Sequence, residues 1–278
     1  MNKPLFFKYI TPLTPVPTHM RPTGRFSGII EGILFDIYGT LFISESGDIS
    51  MAKKQMVKAA RLEKLLIQYN IQKSPGRLVE EFIVAIETRH KELKKLGVDY
   101  PEVEQDRIWR DVLNISDQEK VRHFALEFEL IVNPVYPMPN LKETLSALKK
   151  KGFLMGIISN AQFYTPYLFN WFLEKDIKQL GFNPDLVFLS YQFGYAKPSK
   201  VLFQLAVEKL NSLNIPVSNI LYVGNDMLND IYPATAAGFK TGLFAGDARS
   251  LRLRSDHPDC QNVVPDLVIT DLLQLLDY

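Results

Sequence analysis

Four short stretches set chemistry-bearing side chains directly after apolar, strand-like runs. In Ile33-Leu34-Phe35-Asp36-Ile37-Tyr38-Gly39-Thr40 the run ends in a carboxylate followed by Gly and Thr. A carboxylate there can attack an electrophilic centre and form a covalent aspartyl intermediate, while Gly39 lets the backbone turn its N–H groups toward an anion. Leu154-Met155-Gly156-Ile157-Ile158 leads into Ser159-Asn160, whose hydroxyl and neighbouring N–H groups can donate to an oxyanion. Lys197 stands before Pro198-Ser199 at a helix start and can neutralise charge on a nucleophile and a transferring group. Val223-Gly224-Asn225-Asp226-Met227-Leu228-Asn229-Asp230 carries two carboxylates four apart, a pair that suits Mg2+ bound through carboxylates, water and substrate. Each motif alone has an ordinary reading. Asp36 can cap a helix, Ser159-Asn160 can cap a loop, Lys197 can be a solvated lysine, and Asp230 can cap the helix with Pro233 in its first turn. Their order and spacing together make the case for one site.

Positioning these residues requires parallel strands alternating with helices. Strands are expected near Ile29–Asp36, 153–158, 186–189, 220–223, 239–244 and 267–269. Helices are expected after Asn140, over 199–210 and over 233–237, with Gly152 and Gly238 as stops. Asn140 with Glu143, and Ser116 with Glu119, read as capping boxes, and Ser74-Pro75 reads as a helix start. The pattern predicts an α/β fold: a doubly wound, Rossmann-like parallel sheet with a helical insertion. Its expected parts are an extended Pro- and Thr-rich arm over 1–27, a core over 28–46 and 135–278, and an all-helical block over 47–134.

This set of motifs resembles the haloacid dehalogenase (HAD) superfamily from Ile29 to about Gly242. Members of that family carry a nucleophilic Asp, a Ser or Thr, a Lys and a terminal acidic pair in this order, with a helical cap between the first two motifs. The resemblance implies a hydrolase with Asp36 and Lys197 catalytic, and Thr40, Ser159, Asn160 and Lys197 holding the substrate. It implies Mg2+ near Asp36, the Tyr38 carbonyl, Asp226 and Asp230, with Asn225 as a rival for the place given to Asp226.

Two features bear on the reaction. Phosphatases of the family usually place an acid two residues after the nucleophile, where this chain has Tyr38. The family's 2-haloacid dehalogenases carry Asp-x-Tyr-Gly-Thr, and halide leaves without a proton. Against that, Asp226 and Asp230 form an acidic pair that metal-independent dehalogenases lack, and Leu41 to Ser50 contains no Arg. The expectation is a Mg2+-dependent phosphatase of a small phosphorylated metabolite. The alternatives are a 2-haloacid dehalogenase and a phospho-ligand or protein-binding module with negligible turnover. In the helical block Arg89, His90, Arg107 and Arg110 are polar candidates, and Trp109 reads as core; His257 and Cys260 lack further metal-ligating partners.

Bulk properties narrow the class. The 278 residues carry 32 basic and 31 acidic side chains, a formal charge of +1, which argues against a sequence-independent nucleic-acid binder. A single cysteine allows no internal disulfide and points to a reducing, cytoplasmic setting. No apolar run approaches the roughly 20 residues of a membrane span, and prolines interrupt the N-terminus before a signal-peptide core forms.

Overall fold

The computed structural model describes residues 7–25, 28–44 and 51–277. The boundary expected between residues 46 and 47, and the ends of the arm at 1–6 and 26–27, lie outside the described residues. Strands run in chain order as β1 (Thr23–Gly24), β2 (Gly32–Phe35), β3 (Phe42–Ser44), β4 (Val135–Pro137), β5 (Leu154–Ser159), β6 (Phe182–Leu189), β7 (Ile220–Gly224), β8 (Lys240–Phe244) and β9 (Leu267–Ile269). β2 and β7 are buried at every position, as continuous apolar runs demand at the centre of a sheet covered on both faces.

Seven strands form one sheet in the order β1-β9-β8-β7-β2-β5-β6. All neighbours are parallel except β1, which joins β9 antiparallel, so the arm supplies an edge strand. Phe35 of β2 lies between Ile157 of β5 and Val223 of β7. The chain therefore leaves the centre of the sheet to one side, then returns to build the other. β3 and β4 pair antiparallel at the two ends of the helical block, tying its entry to its exit.

That block consists of helices Met51–Gln68, Pro75–Lys95, Gln105–Leu113 and Gln118–Val132. Trp109 is fully buried there, stacked 3.9 Å from Phe82, with Phe124 and Phe128 edge-on. Ser74 caps its helix as expected, accepting from Arg77 N. The two expected capping boxes do not form. Asp117 replaces Ser116 as cap, accepting from Glu119 N and Lys120 N, because a carboxylate one residue later reaches the same free N–H groups. Asn140 takes a left-handed conformation (φ 63°) and turns its amide to Asp271 at 2.8 Å. β6 begins four residues before the expected strand. Asn183-Pro184-Asp185 looks like a turn, but an edge strand tolerates a proline without a lost ladder bond. No helix among the described residues is long and apolar enough to cross a membrane.

Candidate active site

Asp36 follows β2 at the point where the strand order reverses, with β5 on one side and β7 on the other. Open α/β sheets bind their ligands in this crevice, beyond the carboxyl ends of the strands. Asp36 N still donates to Val223 O at 2.9 Å, which carries the ladder one residue further and fixes where the side chain leaves it.

The expected residues converge. Lys197 Nζ donates to Asp36 Oδ1 at 2.7 Å and to Asp230 Oδ1 at 2.5 Å, and Ser159 Oγ donates to Asp36 Oδ1 at 2.9 Å. Asn160 holds the Lys197 backbone from both sides: its Oδ1 accepts from Lys197 N at 2.7 Å and its Nδ2 donates to Lys197 O at 3.2 Å. Asp230 Oδ2 accepts from the N–H groups of Asn225 and Asp226, each at 3.0 Å. Gly224 makes that possible, since a Cβ there would lie 2.3 Å from the Asp230 carboxyl carbon.

Two buried carboxylates thus face one ammonium. Burial pushes the Asp36 carboxyl up and Lys197 pulls it down, while the neighbouring Asp230 charge pushes it up again; the outcome is about 6. Burial opposes charge on Lys197 as well, yet Asp230 and Asp36 hold its ammonium above the ordinary value. The cluster keeps an excess of negative charge.

Other expected residues do something different. Thr40 is fully buried and donates to Asn225 Oδ1 at 3.1 Å. Gly39 N and Thr40 N donate to Phe42 O and Ile37 O within the turn, so these N–H groups do not face an anion. Neither Thr40 nor Ser159 is among the residues lining the cavity above Asp36. Asp226, rather than Asp230, caps the turn Met227–Ile231, accepting from Leu228 N and Asn229 N. Arg254 grips Asp226 with both oxygens engaged, Nη2 to Oδ2 at 2.7 Å and Nε to Oδ1 at 3.1 Å.

The cavity has a volume of about 390 Å3. Its floor is Asp36, Lys197, Asn225, Asp226 and Asp230, and the helical block and its flanks contribute Glu102, Gln105, Glu129 and Asn133. None of Arg89, His90, Arg107 or Arg110 reaches it: the three arginines pair with nearby Glu92, Glu104 and Asp111. Tyr222 also escaped the sequence reading. Inside β7 it looks like any strand residue, but its hydroxyl accepts from Lys197 Nζ at 3.0 Å and lies 2.9 Å from Asp230 Oδ1. The one signal for it was a hydroxyl in an otherwise apolar buried strand.

The donors around Asp36 are carboxylate, amide and backbone oxygens. Among the described residues no group of three or more His, Cys, Asp or Glu is arranged to hold a metal. Such a sparse set of hard donors does not suit a closed transition-metal site. It fits Mg2+, which takes one or two carboxylates and keeps several waters.

Comparison with known proteins agrees with this geometry. The model of the haloacid dehalogenase-like hydrolases matches residues 30–238. The phosphoglycolate phosphatase of Aquifex aeolicus is 30% identical over 254 residues, spanning 88% of this chain and 96% of that protein. The ribulose-1,5-bisphosphate 5-phosphatase of Halopiger xanaduensis is 33% identical over 109 residues, and the chain spans only 41% of its length. In fold, the chain is similar to the 2-haloacid dehalogenase of Pseudomonas syringae, with a TM-score of 0.56 at 21% identity over 90% of this chain and 97% of that one. With the family model covering most of the chain and Asp36, Lys197 and further acidic residues gathered at one strand end, this chain belongs to the haloacid dehalogenase-like hydrolases.

Proposed function

We propose that this protein is a Mg2+-dependent phosphohydrolase of a small phosphorylated metabolite, working through an aspartyl-phosphate at Asp36. The observation that carries the reading is the charge imbalance at the cavity floor, where one ammonium serves two buried carboxylates. Lys197 and Ser159 hold Asp36 Oδ1, which leaves Oδ2 to attack phosphorus in line. Lys197 lies where it can also offset charge on the transferring group, and Tyr222 and Asn160 keep it there. Mg2+, when bound, supplies the charge that lets a phosphoryl dianion approach the carboxylates. Asp36, the Tyr38 carbonyl and Asp230 would hold it, directly or through water. Asn225 and Asp226 remain its other candidate neighbours; Asn225 Oδ1 accepts from Thr40, and both Asp226 oxygens accept from Arg254. The helical block then acts as the cap that shapes the leaving-group side and excludes water.

The cavity wall favours this reading over haloacid chemistry. A 2-haloacid brings a carboxylate that must find a cation or several donors. Arg254 is held by Asp226, and Arg252 Nη1 donates to the Arg249 and Leu251 carbonyls at 2.8 and 2.9 Å. The opposite wall presents Glu102, whose oxygens already accept from Val103 N, Gln162 and Ser190. The Aquifex aeolicus relative, matched over nearly its whole length, is itself named a phosphatase.

The test is p-nitrophenyl phosphate hydrolysis in Mg2+ and in EDTA, alongside chloride release from 2-chloropropionate, for wild type and Asp36→Asn. Phosphate release that needs Mg2+ and falls at least about 10³-fold in Asp36→Asn is expected. Chloride release without metal would instead establish the dehalogenase.

A further inference from the structure

The residues around Asp36 account for attack on phosphorus but leave the departing oxygen without a proton. An alkoxide or phenoxide leaves poorly, and a positioned acid contributes about 10²–10⁴-fold to such a step. Tyr38 does not fill the role. Its hydroxyl lies 2.9 Å from Thr165 Oγ1, and burial holds the phenol far above its ordinary value. Lys197 is turned to the two carboxylates.

A cavity of about 390 Å3 is near the small end of ligand sites. With the phosphoryl group at Asp36, the rest of the ester must lie against the wall that the helical block provides. That wall carries two acids. Glu102 is anchored at both oxygens: Oε1 accepts from Val103 N at 2.9 Å and Gln162 Nε2 at 3.2 Å, and Oε2 accepts from Ser190 Oγ at 2.7 Å. Those bonds tie the segment before helix Gln105–Leu113 to the core and give both oxygens a donor, although burial raises this carboxyl too.

Glu129 is placed differently. It sits on helix Gln118–Val132, four residues before Asn133, and both line the cavity. Ser44 Oγ donates to Asn133 Oδ1 at 2.9 Å, which turns the amide nitrogen toward Glu129 Oε1 at 3.1 Å. Oε1 is thereby fixed as an acceptor, which leaves Oε2 as the oxygen to carry a proton, with the Tyr164 hydroxyl bonded to the same carboxyl. Burial raises this carboxyl above the usual range, against the hydrogen bonds of Asn133 and Tyr164 and the nearby Lys58 charge.

We propose that Glu129 is the proton donor to the leaving oxygen, supplied by the helical block in place of an acid beside the nucleophile. The inference rests on the phosphatase reading of the same site. As the bond from Asp36 Oδ2 to phosphorus forms, the ester P–O bond breaks, and the Glu129 Oε2 proton passes to the departing oxygen. The resulting carboxylate takes a proton back from the water whose oxygen then attacks the aspartyl-phosphate, releasing phosphate and restoring both side chains.

A series of substituted phenyl phosphates tests this, because shape varies little while the leaving group runs from p-nitrophenolate, which needs no proton, to phenolate, which does. Wild type, Glu129→Gln and Glu102→Gln are compared in Mg2+. Glu129→Gln is expected to lose at least about tenfold more activity on phenyl phosphate than on p-nitrophenyl phosphate, steepening the dependence on leaving-group basicity. Equal losses on all esters would overturn the assignment, leaving Glu129 a structural residue. So would a selective loss in Glu102→Gln alone. If wild type hydrolyses none of the esters, the phosphatase reading itself fails, a result distinct from equal losses.

Discussion

Burial, Lys197 and Asp230 act on the Asp36 carboxyl in opposing directions, and their balance sets how the protein responds to pH. Its folded value of about 6 lies above the ordinary 3.8, so the folded state binds this proton more tightly than the unfolded chain does. The contribution to stability is therefore full below about pH 4 and is lost as pH rises through about 6, a difference of roughly 3 kcal/mol. Asp36→Asn removes the titrating group and leaves Lys197 paired with Asp230. In EDTA, denaturant unfolding should show the variant more stable than wild type at pH 7.5 by about 2–3 kcal/mol, with little difference near pH 4. An equal gain at both pH values would place the titration elsewhere. Asp36, Ser159 and Asp230 were legible in the sequence because each ends or follows a strand, where local pattern points to the sheet's ligand edge, and Lys197 because it stands before a proline at a helix start. Tyr222, Arg254 and Glu129 were not. Their roles arise from side chains that meet only after distant segments pack, as Arg254 does with Asp226 and Glu129 with a cavity more than 90 residues of chain away from its floor at Asp36.

The turn after β2 shows how an element confines these side chains. Gly39 has φ 88°, and a Cβ there would lie 2.6 Å from Asn225 Nδ2 and from Ser250 Cβ. Gly97, after helix Pro75–Lys95, has nearly the same φ of 91° but nothing within 4 Å. Gly97→Ala should cost about 1–2 kcal/mol from the backbone alone. Gly39→Ala should cost about 1–3 kcal/mol more, because the buried Asn225 and Ser250 must shift. Urea unfolding of the two variants measures the difference, and equal losses would mean that the turn does not need that close approach. The sequence marked Gly39 as a turn but not its crowding, since Asn225 and Ser250 lie far along the chain and leave no local signature. The capping errors have a similar origin. Asp117 won over Ser116 within one turn, and Asn140 was drawn off by Asp271 from the far end of the chain.

Across the whole molecule, the arm touches both the helical block and the core. Tyr9 OH donates to the buried Glu127 at 2.5 Å, on the same helix as Glu129, where Gln68 and Tyr69 also donate. Further along, Val16 N donates to Asp247 Oδ1 at 2.9 Å and Thr18 Oγ1 to Ala245 O at 2.6 Å, beside the loop that carries Ser250 and Arg252. Residues 23–24 then complete the sheet edge. Composition suggested an extended arm; hydrogen bonds that fix it come from Glu127 and Asp247, which gave no sign of a partner in the sequence. Tyr9→Phe keeps the ring and removes one donor to a buried carboxylate, so it should cost about 1–2 kcal/mol in urea unfolding. A change below about 0.3 kcal/mol would show that the arm contributes nothing through this bond.

The account turns on Asp36 carrying the phosphoryl group. Acid quench of p-nitrophenyl phosphate turnover in Mg2+, followed by peptide mass spectrometry, reads this directly. The peptide containing Asp36 is expected to gain the mass of one phosphoryl group in wild type, and neither that gain nor phosphate release is expected in Asp36→Asn. Phosphate released by Asp36→Asn at the wild-type rate, with no phosphorylated peptide in either protein, would contradict it.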